Sequence, residues 1–342
     1  MEQAVAGIGV ARRARVVYSG NNKMNQGKQN TKVPVSAEGQ PFSPTIHTRE
    51  DAWPSTSWPA HLADFWTLTK PEVNFLVLVS ALVGFYLATG GHVKGWLLFH
   101  TLMGTLLVAS GTGTLNQYLE RDTDGLMRRT AKRPLPAGRL PHQQALWFGV
   151  LLAIAGGTEL WIAANPLTSA LAIATLASYL ILYTPLKRRT PLCTLVGAFP
   201  GAMPPLIGWA AVRNSLSGQA WVLYAILFLW QFPHLLAIAW MYREDYARAG
   251  LQMLPRSDDE GRATVRQVIS YTLALLPVSL IPAFTGHAGM VYLVGAGVLG
   301  AGLLYYGVRM AVRRTNVIAR QLLMASIVYL PLVFGLLMFD RK

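Results

Sequence analysis

The feature that most constrains this chain is a series of long stretches that contain no Asp, Glu, Lys or Arg. They follow Glu72 and cover 73–93, 95–119, 140–158, 160–186, 190–212, 214–242, 267–308 and 321–339. A helix needs about 20 apolar residues to cross the hydrocarbon layer of a membrane, and several stretches reach that length alone. Only 13% of the residues are charged and 52% are hydrophobic, which excludes an ordinary water-soluble domain.

Local signals divide these stretches into nine predicted helices. The stretch 267–308 is long enough for two passes, with a turn at 286–289, and Asn165-Pro166 ends one helix and begins the next. The predicted helices cover 73–91, 96–118, 142–163, 167–184, 191–211, 219–241, 268–285, 289–308 and 321–339. The sequence therefore predicts an all-α, polytopic membrane protein with nine transmembrane helices.

Positive charge is divided very unevenly between the two ends of these helices. The segments 1–72, 119–141, 185–190, 242–267 and 309–320 hold 26 of the 30 Lys and Arg residues, and the other four are Lys94, Arg213, Arg341 and Lys342. Because cytoplasmic loops are enriched in Lys and Arg, this predicts an N-in, C-out topology. The net charge of +14 then reflects topology, and no nucleic-acid partner is expected because no DNA-reading motif or aromatic-basic interleaving is present.

The first part of the chain has a different composition from the rest. Residues 1–64 are polar and basic, with too little apolar surface to offset chain entropy, so we predict a disordered cytoplasmic tail before a membrane domain at 65–342. Arg12, Arg13 and Arg15 in an acid-poor stretch leave a mitochondrial transit peptide as an alternative. The expected location is the bacterial cytoplasmic membrane, or the mitochondrial inner membrane if the chain is eukaryotic.

The segment after the second predicted helix carries oxygen side chains at helical spacing. Asn116, Glu120 and Asp124 are four residues apart, so on a helix they lie within an arc of about 80°. Carboxylate and amide oxygens suit Mg²⁺, and the basic residues that follow could bind phosphate oxygens: Arg128, Arg129, Lys132 and Arg133. A solvated loop with balanced charges is the alternative. A cation is favoured because acids at a helix C-terminus oppose the macrodipole, and because Asn116 lies inside the last membrane turn.

Two other inner segments carry candidate residues. Glu244 and Asp245 lie between Tyr242 and Tyr246 after the sixth helix, and a salt-bridged loop is the alternative reading. His234 lies inside that helix, where a helix–helix hydrogen bond is the alternative to a functional role. The loop from Lys187 to Arg189 fits a phosphate site or a topology signal equally well.

These motifs together resemble the UbiA superfamily of intramembrane prenyltransferases. Asn116–Pro136 is similar to its first Asp-rich motif, and Glu120-Arg-Asp-Thr-Asp124 with Arg133-Pro-Leu-Pro136 resembles the branch that farnesylates protoheme IX. Further matching stretches are Thr69-Lys-Pro-Glu72, Tyr183–Arg188 continuing to Gly208-Trp209, and Pro233-His234 leading to Asp245–Gly250. The resemblance spans about residues 65–340. Relatives acting on phenolic acceptors have a richer Asp cluster at the second motif, and the Asp-Tyr version here is usual in the heme branch.

The resemblance implies a central cavity among nine helices and a Mg²⁺-diphosphate site under the cytoplasmic loops. It implies catalytic roles for Asn116, Glu120, Asp124 and Asp245, with the first three holding Mg²⁺. It further implies diphosphate contacts from Arg128, Arg129, Arg133, Lys187 and Arg188, and leaves His234, Tyr242 and Tyr246 as candidates for heme contact.

The reaction that the resemblance implies is farnesyl transfer from farnesyl diphosphate to the vinyl group of heme B, with water addition, giving heme O. Expected partners are these two substrates and membrane lipid, with heme A synthase or terminal-oxidase assembly machinery as a further association. A UbiA-type enzyme with another acceptor, a quinone precursor or a chlorin, is the alternative. A secondary transporter predicts charges near the bilayer midplane, whereas here the acids collect at one face. A non-catalytic oxidase assembly factor predicts no loss of heme O when Asp124 is changed to Asn.

Overall fold

The computed structural model describes residues 58–342 except 256–257 and 259. Within this part of the chain nine helices are long and apolar enough to cross a membrane, as predicted. A short helix, α1 (Trp58–Leu68), precedes them, and another, α8 (Arg243–Arg248), lies between the sixth and seventh. The nine are α2 (Pro71–Ala88), α3 (Gly95–Asp124), α4 (His142–Ala163), α5 (Pro166–Leu186), α6 (Cys193–Arg213), α7 (Gly218–Met241), α9 (Arg262–Phe284), α10 (Met290–Val312) and α11 (Asn316–Phe339). Residues 1–57 of the tail predicted at 1–64, with the alternative transit peptide, lie outside the described residues.

The outer surface of this helical bundle is apolar. Large side chains such as Ile162, Phe284, Val298 and Phe339 are exposed along its length. Contiguous apolar surface of this kind is unfavourable in water and favourable in a bilayer. The chain is a multi-pass membrane protein.

Helix α1 corrects the predicted boundary of the tail. Residues 58–64 are helical, so the ordered domain begins before residue 65. Leu68 is fully buried in a small cluster with Leu135 and Leu140, and Asp64 accepts two hydrogen bonds from Arg139 Nε, at 2.9 and 3.1 Å. This buried, charge-assisted contact is long-range in sequence, which is why local composition gave no sign of it.

Helix α3 is longer than predicted, because it ends at Asp124 rather than at residue 118. The charged residues that follow Leu119 end its apolar character but do not end its helical hydrogen bonding, and Gly125 N–H still reaches Arg121 O at 3.2 Å. The extension carries Glu120 and Asp124 out of the membrane on the same helix face as Asn116, as their spacing predicts.

The two helices that flank the short loop at residues 187–192 are irregular. α5 contains a π-helical segment, Ser178–Tyr183, and the predicted start after Asn165 is confirmed by its side chain, which accepts the Thr168 N–H. α6 consists of two segments, Cys193–Gly201 and Pro204–Arg213, because Pro204 has no N–H with which to continue the hydrogen-bond ladder.

Helices α2 and α6 approach each other through glycine residues. A Cβ atom added to Gly208 would lie 1.9 Å from the carbonyl oxygen of Ala81, and one added to Gly84 would lie 2.0 Å from that of Pro205. The two backbones are therefore in direct contact at two levels.

Gly208→Ala is expected to destabilise the protein by about 1–3 kcal/mol, because the new methyl group meets rigid backbone on α2. Gly297→Ala on α10 is the matched control, since a Cβ there meets nothing within 4 Å. Thermal unfolding in detergent compares the two variants. Equal melting temperatures for both would contradict the close backbone contact.

Candidate active site at the end of helix α3

The last turns of α3 present an amide and two carboxylates on one face. Asn116 is 2% exposed and Asp124 1% exposed, while the Glu120 side chain is 12% exposed. Asp122 lies on another face, with its side chain 80% exposed beside Arg121. The helical spacing thus distinguishes Asn116, Glu120 and Asp124 from the solvent-exposed Asp122.

Each of these three side chains is paired with a cation from a different part of the chain. Lys187 Nζ lies 2.8 Å from Glu120 Oε1, and Arg133 Nη1 lies 2.7 Å from Asp124 Oδ2. Lys70 Nζ donates to Asn116 Oδ1 at 3.0 Å. Buried charge-assisted pairs of this kind satisfy both partners and hold them in defined positions.

Lys70 received no role from sequence reasoning, although it lies in one of the stretches that carry the family resemblance. It is the residue before α2 and has a left-handed backbone conformation, with φ of 53°, which is unfavourable for a residue with a side chain. Burial lowers the pKa of its ammonium group to about 7, and the nearby positive charge of Arg133 acts in the same direction. A lysine next to a membrane helix normally indicates topology, so its sequence position alone did not distinguish it.

Lys187 begins the loop after α5 and is enclosed by aromatic rings. Its Nζ lies 4.4 Å from the ring centre of Tyr183 and 5.9 Å from that of Tyr179. Gln252 donates its backbone N–H to the Lys187 carbonyl at 2.6 Å, which ties this loop to the one after α8. Burial acts to lower the pKa of Lys187, but the surrounding oxygens, with Glu120 in direct contact, hold it above its usual value.

The second motif contacts the loop that follows α3. Asp245 accepts hydrogen bonds from Arg248 Nη1 at 2.8 Å and from the backbone N–H of Arg129 at 3.4 Å. Arg129 donates to the Tyr246 hydroxyl at 3.1 Å and lies over the Tyr242 ring, 4.6 Å from its centre. Burial acts to raise the pKa of Asp245, but these hydrogen bonds outweigh it and lower the pKa. The two motifs therefore meet through Arg129.

Three predicted site residues are not joined to this network by their side chains. Arg128 and Arg188 are exposed, and neither guanidinium group forms an ion pair in the described part of the chain. His234 lies in α7 against α11, where its Nδ1 is 2.9 Å from Ser326 Oγ and its ring stacks on Trp230 at 4.7 Å. The helix–helix hydrogen bond considered for His234 is thus present, while its other ring nitrogen has no partner among the described residues.

The donor set at the end of α3 fits a hard divalent cation. One amide and two carboxylate oxygens on adjacent turns are the ligand types that Mg²⁺ prefers when phosphate oxygens complete its coordination. Among the described residues, no three or more His, Cys, Asp or Glu side chains are grouped so that they could hold a metal ion, so these side chains alone do not make a full site. Both carboxylates are also bound to cations, and a metal ion would have to replace these.

Comparison with known proteins agrees with this geometry. A protein named protoheme IX farnesyltransferase from Solibacter usitatus (strain Ellin6076) is 53% identical over 82% of this chain and 99% of its own length. Another of that name from Koribacter versatilis (strain Ellin345) is 43% identical over 82% of this chain and 94% of its own.

Solved structures with the same fold include a digeranylgeranylglyceryl phosphate synthase, with a TM-score of 0.68 at 13% identity over 82% of this chain and 98% of that one. A UbiA homolog from Archaeoglobus fulgidus, bound to DMAPP and Mg²⁺, has a TM-score of 0.58 at 12% identity over 80% and 99% of the two chains. The model of the UbiA prenyltransferase family matches residues 77–332, and the chain therefore belongs to that family.

Proposed function

We propose that this protein transfers the farnesyl group of farnesyl diphosphate to the vinyl group of protoheme IX (heme B), giving heme O. The observation that carries the proposal is the set of two carboxylates and one amide on α3, each paired with a cation from another element. The identity of the acceptor is supported by the relatives named protoheme IX farnesyltransferase, which match over 82% of the chain.

The reaction requires a carbon–oxygen bond to break before a new carbon–carbon bond forms. The C1–O bond of farnesyl diphosphate ionises, and the diphosphate keeps the electron pair. The vinyl carbon attacks C1, and water then adds to the resulting cation with release of a proton. Mg²⁺ held by Asn116, Glu120 and Asp124 would neutralise charge on the leaving diphosphate.

The cations around α3 are suited to receive that diphosphate. Lys187 and Arg133 pair with Glu120 and Asp124 when no substrate is present. With a metal–diphosphate complex bound, Lys187 and Arg133 would contact phosphate oxygens, and Glu120 and Asp124 would hold the metal. Each charged group would then keep an oppositely charged partner. An unpaired charge in these buried surroundings would be strongly unfavourable.

The acceptor side of the site is proposed to lie between the two motifs. Arg129 joins the loop after α3 to Tyr242 and Tyr246, so a substrate carboxylate or phosphate that binds between the motifs would meet its charge. His234, Tyr242 and Tyr246 are the proposed heme contacts, with Asp245 positioning Arg129 through its backbone. Arg128 and Arg188 stay proposed as exposed cations that attract the diphosphate.

Orientation and cellular setting belong to the same proposal. Because 26 of the 30 basic residues belong to the segments predicted to be cytoplasmic, and the site lies at that end of the helices, the proposed site faces the cytoplasm of a bacterial inner membrane. Heme O would then pass to an enzyme that oxidises it to heme A, or to the machinery that assembles terminal oxidases. A quinone precursor or a chlorin as acceptor would use the same α3 cluster, and the identity of the product distinguishes these alternatives.

Glu120→Gln and Asp124→Asn are expected to abolish heme O formation while the protein remains inserted and folded. Each removes a carboxylate that the metal–diphosphate complex needs. Asp122→Asn is the matched control and should keep activity, because its side chain is 80% exposed on another face. Mass spectrometry of heme extracts from a strain that lacks its own enzyme measures the outcome. Full activity of the first two variants at saturating Mg²⁺ would reject the role of the cluster.

Lys70 predicts a characteristic pH dependence of farnesyl thiodiphosphate binding. In the substrate-free protein the pKa of Lys70 is about 7, so its ammonium group loses its proton and its charge as the pH rises above 7. A bound anion favours the charged form, so binding at higher pH must first restore that proton. Between pH 7.5 and 9 the affinity should fall by up to about tenfold per pH unit relative to Lys70→Arg, whose charge does not titrate. Calorimetric titration measures this, and identical slopes for the two proteins would contradict it.

The ion pairs also predict that Mg²⁺ and the diphosphate bind cooperatively. Mg²⁺ alone must displace Lys187 from Glu120, so it should bind at least about tenfold more weakly than in the presence of farnesyl thiodiphosphate. Lys187→Met should strengthen binding of Mg²⁺ alone and weaken binding of the diphosphate, while Lys94→Met, an exposed lysine at the opposite end of α3, should change neither. Calorimetric titration with Mg²⁺ measures these affinities. An unchanged Mg²⁺ affinity in Lys187→Met would contradict the proposal that Mg²⁺ displaces Lys187 from Glu120.

A further inference from the structure

A cavity, here called the distal cavity, lies at the end of the bundle opposite the candidate active site. It has a volume of about 670 Å³, and its lining includes Leu87 at the end of α2 and Gly218 at the start of α7. α2 begins beside Asn116 in the candidate active site and has 18 residues, which separates its ends by about 27 Å. α7 likewise ends next to Tyr242 of the second motif. The distal cavity is therefore remote from the chemistry.

Positive charge is concentrated at this cavity. Among the described residues, four Lys and Arg residues belong to segments at this end of the helices, and three of them line the cavity: Arg213, Arg341 and Lys342. None of the three forms an ion pair with a carboxylate in the part of the chain that the structure describes. The neighbouring acid, Asp340, instead accepts the backbone N–H of Tyr292 at 2.8 Å.

The two arginines are held in place without being neutralised. Arg213 Nε donates to the Ala88 carbonyl at 2.6 Å, and Arg341 Nη1 donates to the Tyr86 carbonyl at 3.2 Å. Each contact uses one of the five N–H donors of a guanidinium group. The other donors stay available to a ligand, while the backbone of α2 fixes where both groups stand.

The first turn of α7 adds two backbone donors to the same cavity. Ser217 caps the helix by accepting the Ala220 N–H, and the N–H groups of Gly218 and Gln219 have no acceptor among the described residues. Both residues line the cavity. The N-terminus of a helix attracts anions through these N–H groups and through the macrodipole.

The rest of the wall is apolar. Leu87, Trp209, Val222 and Leu337 face the same space. A ligand that satisfies the whole cavity therefore needs a compact anion attached to an apolar body. We propose that the distal cavity binds an anionic phospholipid, with its phosphate on Arg213, Arg341, Lys342 and the start of α7. A phospholipid fits better than free phosphate because the cavity combines this basic rim with an apolar wall at the end of a membrane-spanning bundle.

The test is retention of lipid by the purified full chain, measured by native mass spectrometry after exchange into neutral detergent with equal amounts of phosphatidylglycerol and phosphatidylcholine. The wild type should retain phosphatidylglycerol with at least about a tenfold preference. Arg341→Gln/Lys342→Gln should lose that preference. Lys94→Gln, which removes the fourth basic residue of this end outside the cavity, should keep it.

Three results would overturn the proposal: no preference in the wild type, an unchanged preference in the double variant, or an equal loss in Lys94→Gln. Displacement of the retained lipid by millimolar inorganic phosphate would assign the site to a free anion and would also overturn it. Thermal unfolding in detergent checks that the double variant is folded. If it unfolds earlier, Lys342→Gln alone, which leaves the Arg341 contact with the Tyr86 carbonyl in place, replaces it and should reduce the preference.

Discussion

The pairing of buried carboxylates with buried cations at the end of α3 governs much of this structure. Lys187 and Arg133 give Glu120 and Asp124 the charge partners that offset the cost of burying them. The pairs also join α3 to the loop after α5 and fold the segment after α3 back onto that helix. The same contacts that stabilise the substrate-free protein therefore assemble the groups that the proposed reaction needs.

The fold supplies the rest of the arrangement through helix geometry. α3 extends beyond its apolar part and carries three acceptors on one face, while α2 is held against α6 by glycine contacts that leave no room for a methyl group. At the start of α2, Lys70 reaches Asn116 of α3. Polar chemistry is thereby confined to one end of an apolar bundle, where a diphosphate can reach it and a prenyl chain can lie among the helices.

Sequence reasoning succeeded where the signal is local and periodic. The nine membrane helices follow from the length of uncharged stretches, and the alignment of Asn116, Glu120 and Asp124 follows from the helical repeat. Such reasoning failed where the stabilising contact is distant in sequence. Helix α1 depends on Arg139, and the position of Lys70 beside Asn116 depends on packing between α2 and α3.

The basic residues after α3 also show that sequence alone does not identify contacts between distant residues. Arg128, Arg129 and Arg133 look alike in sequence, yet only Arg133 pairs with a carboxylate of α3, Arg129 contacts the second motif, and Arg128 is exposed. Which arginine of a cluster reaches a buried acid depends on the path of the loop, and composition does not encode that path. The number of basic residues indicated a phosphate site, but only the structure distinguishes the roles of the individual arginines.

The central claim is that Glu120 and Asp124 exchange a side-chain cation for a metal ion when the prenyl diphosphate arrives. Anomalous diffraction from crystals grown with Mn²⁺ and farnesyl thiodiphosphate tests it directly. The account predicts manganese within bonding distance of both carboxylates, with Lys187 and Arg133 moved onto phosphate oxygens. Manganese bound elsewhere, with both carboxylates still paired to those two cations, would contradict it.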